Sequence, residues 1–251
     1  MKNNSNLYDK ITSKFSFNQK NSKDSSRNNL NKNNDSQKKI ENSPTKNINS
    51  NEIKKESSSS SVSSNHIEPS LKTYNELKNC VKNRRSVRQF TPYKPPYKIL
   101  FEILETSFYS PKAGNVSNTE YIIIEDVSKK ATISNLCYQQ SWISQAPYII
   151  IVISSKDDIQ KLYPDMSSRF STQNTAVQIQ NLLLLIHSAG FSSCWVQSFQ
   201  EEVLKDYLGI PPNLEIHAVL PVGFAKEIPS KPIMPDINMK LSYEEFGNRD
   251  K

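Results

Sequence analysis

Apolar residues recur along the chain at two different spacings, and both patterns begin only after residue 70. Leu71, Tyr74, Leu77 and Val81 fall three or four residues apart, which predicts an amphipathic helix from Leu71 to about Asn83 with Ser70 placed to cap it. Pro92, Pro95 and Pro96 bar a helical interior across 91–96, because they remove backbone donors and restrain the residues before them. A second helix follows from Pro96 to about Tyr109, with Ile99, Leu100, Ile103 and Leu104 on one face. The polar turn SPKAGNVSN (110–118) feeds an apolar strand, EYIIIED. Residues 128–138 read as a short helix, Tyr148 to Ile153 as a buried strand of mainly β-branched residues, and Asp157 to Tyr163 as a short helix.

The longest predicted element is a helix from about Ser171 to Ala189, apolar almost all round its C-terminal half and closed by Gly190. Such a helix belongs at the centre of a domain or between subunits. It leads into the predicted strand FSSCWVQSF, a helix from Glu201 to Leu208, the strand EIHAVLPVGF, and a C-terminal arm containing Lys231, Lys240 and YEEFG. Strands separated by helices over long connections imply an α+β or α/β domain with a mostly antiparallel or mixed sheet.

Composition divides the chain in the same place. Residues 1–70 are dominated by Asn, Ser and Lys with few apolar residues, and cannot bury enough apolar surface to offset the entropy of ordering them. They are expected to be a disordered extension, with one domain over 71–251. Of the net charge of +7, the extension carries +5, from 12 basic against 7 acidic residues. These charges are dilute, mixed in sign and not interleaved with aromatics, so nucleic acid is not expected as a partner. No apolar run reaches the roughly 18 residues of a membrane span, and no hydrophobic leader follows the N-terminus, so the expected location is the cytoplasm, away from membranes.

Cys80, Cys137 and Cys194 are far apart and match neither a CxxC nor a Cys/His metal spacing, so no metal site is expected. His187 and His217 lie within apolar runs and suit packed core positions, as do Cys194 and Trp195. GxSxG, a P-loop and GxGxxG are all missing. No catalytic acid, base or nucleophile is therefore assigned, and the chemistry is expected to come from a bound cofactor.

One stretch concentrates charge inside the domain. Arg84-Arg85-Ser86-Val87-Arg88-Gln89-Phe90 puts three guanidinium groups and a hydroxyl within five residues, where the first helix ends. Taken alone this is either a solvated basic turn or a cradle for an anion.

The order of blocks favours the cradle. RRSVRQF, then SPKAGN before a strand, then QNTAVQIQNLLL, then AGFSSCW, then LPVGFAKE resembles the nitroreductase family over about residues 75–247. The resemblance implies an α+β homodimer with a mostly antiparallel sheet flanked by helices, two FMN sites at the subunit interface, and NADH or NADPH as co-substrate in a two-step, ping-pong exchange with small acceptors such as nitroaromatics or quinones. Arg84, Arg85, Ser86 and Arg88 fall on the family's first flavin-binding block, with Arg88 assigned to the ring edge by analogy. Pro111, Lys112, Ala113 and Asn115 match the block that the partner subunit presents to the flavin ring, with Lys112 standing where Ser is usual. Gln140, or Gln139 in the alternative register, matches an amide at the pyrimidine edge. Gln197 and Ser198 match the turn near flavin N5, where relatives often carry Gly at the second position. Lys240, or Lys231, stands for the basic residue that closes on the phosphate. Specialised relatives, such as iodotyrosine dehalogenases and azoline oxidases, and an FMN carrier or sensor with little turnover, are the alternative readings.

Overall fold

The computed structural model describes residues 71–249. The extension over 1–70, the Ser70 cap and the last two residues lie outside the described residues. The domain is α+β: a four-stranded sheet whose strands lie in the order 119–124, 148–154, 215–223 and 192–193, every pairing antiparallel, between layers of helices.

The elements are α1 (Leu71–Asn83), α2 (Tyr97–Ser107), β1 (Thr119–Ile124), α3 (Val127–Leu136), β2 (Tyr148–Ser154), α4 (Asp157–Leu162), α5 (Ser167–Ser188), β3 (Ser192–Ser193), α6 (Glu201–Leu208) and β4 (Glu215–Gly223). Single 3-10 turns fall at Ala113–Asn115, Ser141–Gln145, Pro164–Met166 and Ile237–Met239. β2 is buried along its whole length because a helical layer covers each face of the sheet. Ile150 and Val152 pack with Leu100, Ile103 and Leu104 of α2 and Leu182, Leu183 and Ile186 of α5. The alternate residues Ile149, Ile151 and Ile153 pack with Ile133 of α3 and Leu204 of α6. The period of two along β2 thus divides the core into two halves.

Two expectations need correction. α5 starts at Ser167, a turn earlier than its apolar pattern suggests, because the buried face of its first half is polar: Ser167, Ser171, Asn174, Thr175 and Gln178. The FSSCWVQSF strand shrinks to Ser192–Ser193 plus one bridge from Val196 to Val219. Its outer edge is taken by the basic stretch, with Ser86 bridging Ser193 in parallel and the Val87 N–H donating to the Ser193 carbonyl at 3.1 Å. α1 is amphipathic as expected but buries none of its residues within the chain.

Candidate functional site

The basic stretch is held as an extra edge of the sheet. After the Ser86 bridge, Phe90 pairs antiparallel with Ala225, Thr91 N–H donates to the Phe224 carbonyl at 2.9 Å, and Lys226 N–H donates to the Gln89 carbonyl at 2.8 Å. Val87 and Phe90 are buried, while Arg88 and Gln89 between them are exposed. Arg84 and Arg85 precede this segment, at the C-terminus of α1. The Arg85 guanidinium donates to the Lys82 carbonyl at 2.8 Å and the Arg84 carbonyl at 2.7 Å, placing positive charge at the negative end of the helix. Arg88 lies over the Trp142 ring, 5.8 Å from its centroid.

The buried Cys194 and the half-buried His187 report on this charge. Burial pushes the Cys194 thiol pKa up, against Arg88, a hydrogen bond from Ser86, and Arg84. Cys194 is buried, as expected of a packed core position, and lies beside the basic stretch. Burial pushes His187 down, and Arg84 and Arg85 push it the same way, so the imidazole at the end of α5 is held neutral beside two guanidinium groups. Among the described residues no carboxylate forms an ion pair with Arg84, Arg85 or Arg88. Three uncompensated guanidinium groups, with a hydroxyl between them, make a donor set suited to a phosphate dianion.

The second predicted block stands elsewhere in the chain. Gly114 and Asn115 both adopt left-handed backbone, φ 61° and 55°. A Cβ at Gly114 would sit 2.8 Å from Leu162 Cδ1, so the turn is wedged against the end of α4. The Ala113 N–H donates to Asn174 Oδ1 of α5 at 2.9 Å. Lys112 turns its ammonium group back onto the carbonyls of Phe108 and Ser110. Pro111 and Asn115 face solvent or lie near it.

α5 serves as a ruler between the two blocks. Asn174 holds the turn, whereas Leu184, whose carbonyl accepts from Cys80, and His187 adjoin the arginines. Ten to thirteen residues at 1.5 Å each put about 15–20 Å of helix between them. Within one chain the two blocks thus lie about three turns of α5 apart.

The third group sits at the end of α3. Tyr138 and Gln139 are consecutive left-handed residues, φ 54° and 58°. The Gln140 side chain is turned inward, its amide donating to the Cys137 carbonyl at 2.9 Å, and Gln139 is the exposed one of the pair. Gln197 and Ser198 are exposed on a neighbouring turn that the Gln200 N–H ties to the Leu136 carbonyl at 2.9 Å. Ser198 is not among the left-handed residues, so the turn does without the conformation a glycine would offer there. Lys240 and Lys231 are both exposed on the C-terminal arm, and no hydrogen bond or ion pair among the described residues joins either to the basic stretch.

The family model for the nitroreductase family matches residues 81–143 and 134–224, which includes the basic stretch, the Gly114 turn and the β3 edge. The chain belongs to the nitroreductase family. An NADH dehydrogenase of Thermus thermophilus is 22% identical over 180 residues, covering 61% of this chain and 88% of that protein. An iodotyrosine deiodinase of Thermotoga neapolitana is 22% identical over 195 residues, covering 68% and 98%. Among solved structures, the NADPH:FMN oxidoreductase of Vibrio harveyi complexed with NAD+ superimposes with a TM-score of 0.62 at 15% identity, covering 69% of this chain and 79% of that one.

Within this nitroreductase-family chain, sequence reasoning passed over Asn174. Nothing in the sequence singles it out, because the whole buried face of the first half of α5 is polar. The place of Trp142 under Arg88 depends on how two distant segments pack, so the sequence does not reveal it.

Proposed function

We propose that the chain is an FMN-dependent oxidoreductase that takes reducing equivalents from NADH or NADPH and passes them to a small acceptor such as a nitroaromatic or a quinone. The observation that carries this reading is that Arg84, Arg85 and Arg88, flanking Ser86, have no carboxylate partner among the described residues of a nitroreductase-family chain. The donor set fits the phosphate of FMN in charge and in hydrogen-bond capacity. Bound FMN supplies the two-electron chemistry that no side chain of the site offers.

The protein's own part is to bind and orient. Arg84, Arg85 and Ser86 hold the phosphate, and Lys240 closes over it from the arm, with Lys231 as the substitute. Arg88, braced on Trp142, sets a positive charge at the ring edge, which favours negative charge there on reduction. Gln140 or Gln139, with Gln197 and Ser198, borders the ring. Pro111, Lys112, Ala113 and Asn115 come from the partner subunit of a homodimer, and the length of α5 separating them from the arginines of their own chain supports that assignment. Residues 1–70 take no part in this chemistry, and the protein works in the cytoplasm. No helix among the described residues is long and apolar enough to cross a membrane.

The deciding experiment is a visible spectrum of the purified full chain, then anaerobic addition of NADH or NADPH, then a quinone. Bleaching of the flavin band followed by its recovery is the expected outcome. A protein that cannot be loaded with FMN sinks the proposal, and bound flavin that neither nicotinamide reduces points to a carrier or sensor. The Thermotoga relative supports a second reading, reductive dehalogenation, checked by iodide release from iodotyrosine under reducing conditions.

A further inference from the structure

α5 buries a polar stripe before it buries an apolar one. Ser171, Asn174, Thr175 and Gln178 stand at positions i, i+3, i+4 and i+7, and all four are buried. Three of them bond to side chains that flank the Gly114 turn or lie on β1. Ser171 Oγ accepts from Asn118 Nδ2 at 2.9 Å, Thr175 Oγ1 lies 3.4 Å from Thr119 Oγ1, and Gln178 Nε2 donates to the Tyr121 hydroxyl at 2.5 Å. Asn174 alone takes hold of the turn's backbone, through the Ala113 N–H.

This bond fixes the amide. A backbone N–H needs an acceptor, so Oδ1 must face Ala113 and Nδ2 must face away, where it is buried with no partner. A buried donor without a partner is costly, and a leucine at this place would avoid it. Keeping an amide at a 5% exposed site makes sense when the acceptor at Ala113 is what matters.

We propose that Asn174 is a positioning residue for the cofactor site, holding the left-handed Gly114–Asn115 turn in the shape that meets flavin. The inference rests on the FMN reading above and names a determinant of the same site. Asn174 touches neither cofactor nor substrate in this scheme; it acts through the Ala113 N–H.

The test compares Asn174→Asp, which keeps an acceptor of the same shape, with Asn174→Leu, which removes it. Amide hydrogen exchange over residues 110–118 is measured on FMN-free protein, and FMN affinity by quenching of flavin fluorescence. Asn174→Leu is expected to speed exchange in the turn and weaken FMN binding about tenfold or more, while Asn174→Asp stays within about threefold of wild type for both. If Asn174→Leu does not fold, as judged by circular dichroism, Asn174→Ala takes its place. Wild-type exchange and affinity in the Leu or Ala variant would overturn the inference alone, as would faster exchange with unchanged affinity. A wild-type chain that binds no FMN would overturn the flavin reading itself, and this inference with it.

Discussion

Arg84 and Ser86 carry the first prediction because they combine the right chemistry with low structural cost. Neither side chain belongs to a hydrophobic cluster, and Arg84 has no carboxylate partner among the described residues to leave stranded. A charge-assisted hydrogen bond contributes about 1.5–3 kcal/mol, so Arg84→Ala should weaken FMN binding by roughly 10- to 100-fold, and Ser86→Ala somewhat less. Isothermal titration with FMN measures both, and affinities equal to wild type would show that the cradle is misplaced. His217 carries a prediction about pH. Its Nε2 lies 2.7 Å from Ser154 Oγ and 3.8 Å from a Glu215 carboxylate oxygen. The carboxylate favours the imidazolium, yet burial outweighs it and the pKa lies below the ordinary value of 6.5. The unfolded chain therefore takes up the proton first as pH falls. The stability linked to neutral His217 is complete above about pH 6.5 and is lost as pH drops toward the lower folded value. His187 is shifted in the same direction and adds to the slope. Thermal melts between about pH 7.5 and 5.5 should show Tm falling, and falling less steeply in His217→Gln. Parallel slopes for the two proteins would rule out His217 as a contributor.

At the scale of elements, regular apolar patterns were legible and polar contacts were not. β2, β4 and the apolar half of α5 announced themselves through runs of Ile, Val and Leu, since a strand or helix buried on both faces leaves little choice of residue. The polar half of α5 was invisible because its burial depends on partners in β1 and the Gly114 turn. The short β3 was misread for a related reason: its ladder is completed by the arginine-bearing segment from more than a hundred residues earlier. The basic stretch could be read as an anion cradle only with the help of four other blocks, and its attachment as a sheet edge required the fold. That attachment depends on Gly223, at the end of β4. A Cβ there would lie 2.6 Å from Pro147 Cδ and 3.3 Å from Phe90 Cδ1. The proline ring has no rotamer to escape into, so Gly223→Ala should destabilise by about 1–3 kcal/mol through overpacking. The displaced Phe90 should also loosen Arg88, two residues away on the same extended segment. Urea unfolding checks the first effect and FMN titration the second. Unchanged values in both would mean that the segment docks independently of the β4 terminus.

At the scale of the whole molecule, the described residues leave apolar surface exposed. Tyr74, Leu77 and Val81 of α1 are 57%, 58% and 51% exposed, and Ile233 and Phe246 of the C-terminal arm are fully exposed. An amphipathic helix with no buried residue gains nothing from its pattern unless something covers that face. The proposed homodimer would cover this face and, across the 15–20 Å of α5 between the arginines and the Gly114 turn, bring a partner's turn to each cradle. Dimer formation and cofactor binding should then fail together. Tyr74→Glu with Leu77→Glu puts two charges on the α1 face without touching a buried side chain, so the fold should survive. Sedimentation velocity is expected to show a shift from dimer toward monomer, and FMN affinity should fall with it, recovering as protein concentration is raised. Two outcomes separate the links in this reasoning. A variant that stays dimeric would show that α1 lies outside the interface. A stable monomer that binds FMN as tightly as wild type would show that one chain suffices for the site, and that the partner's Pro111–Asn115 segment has no part in it.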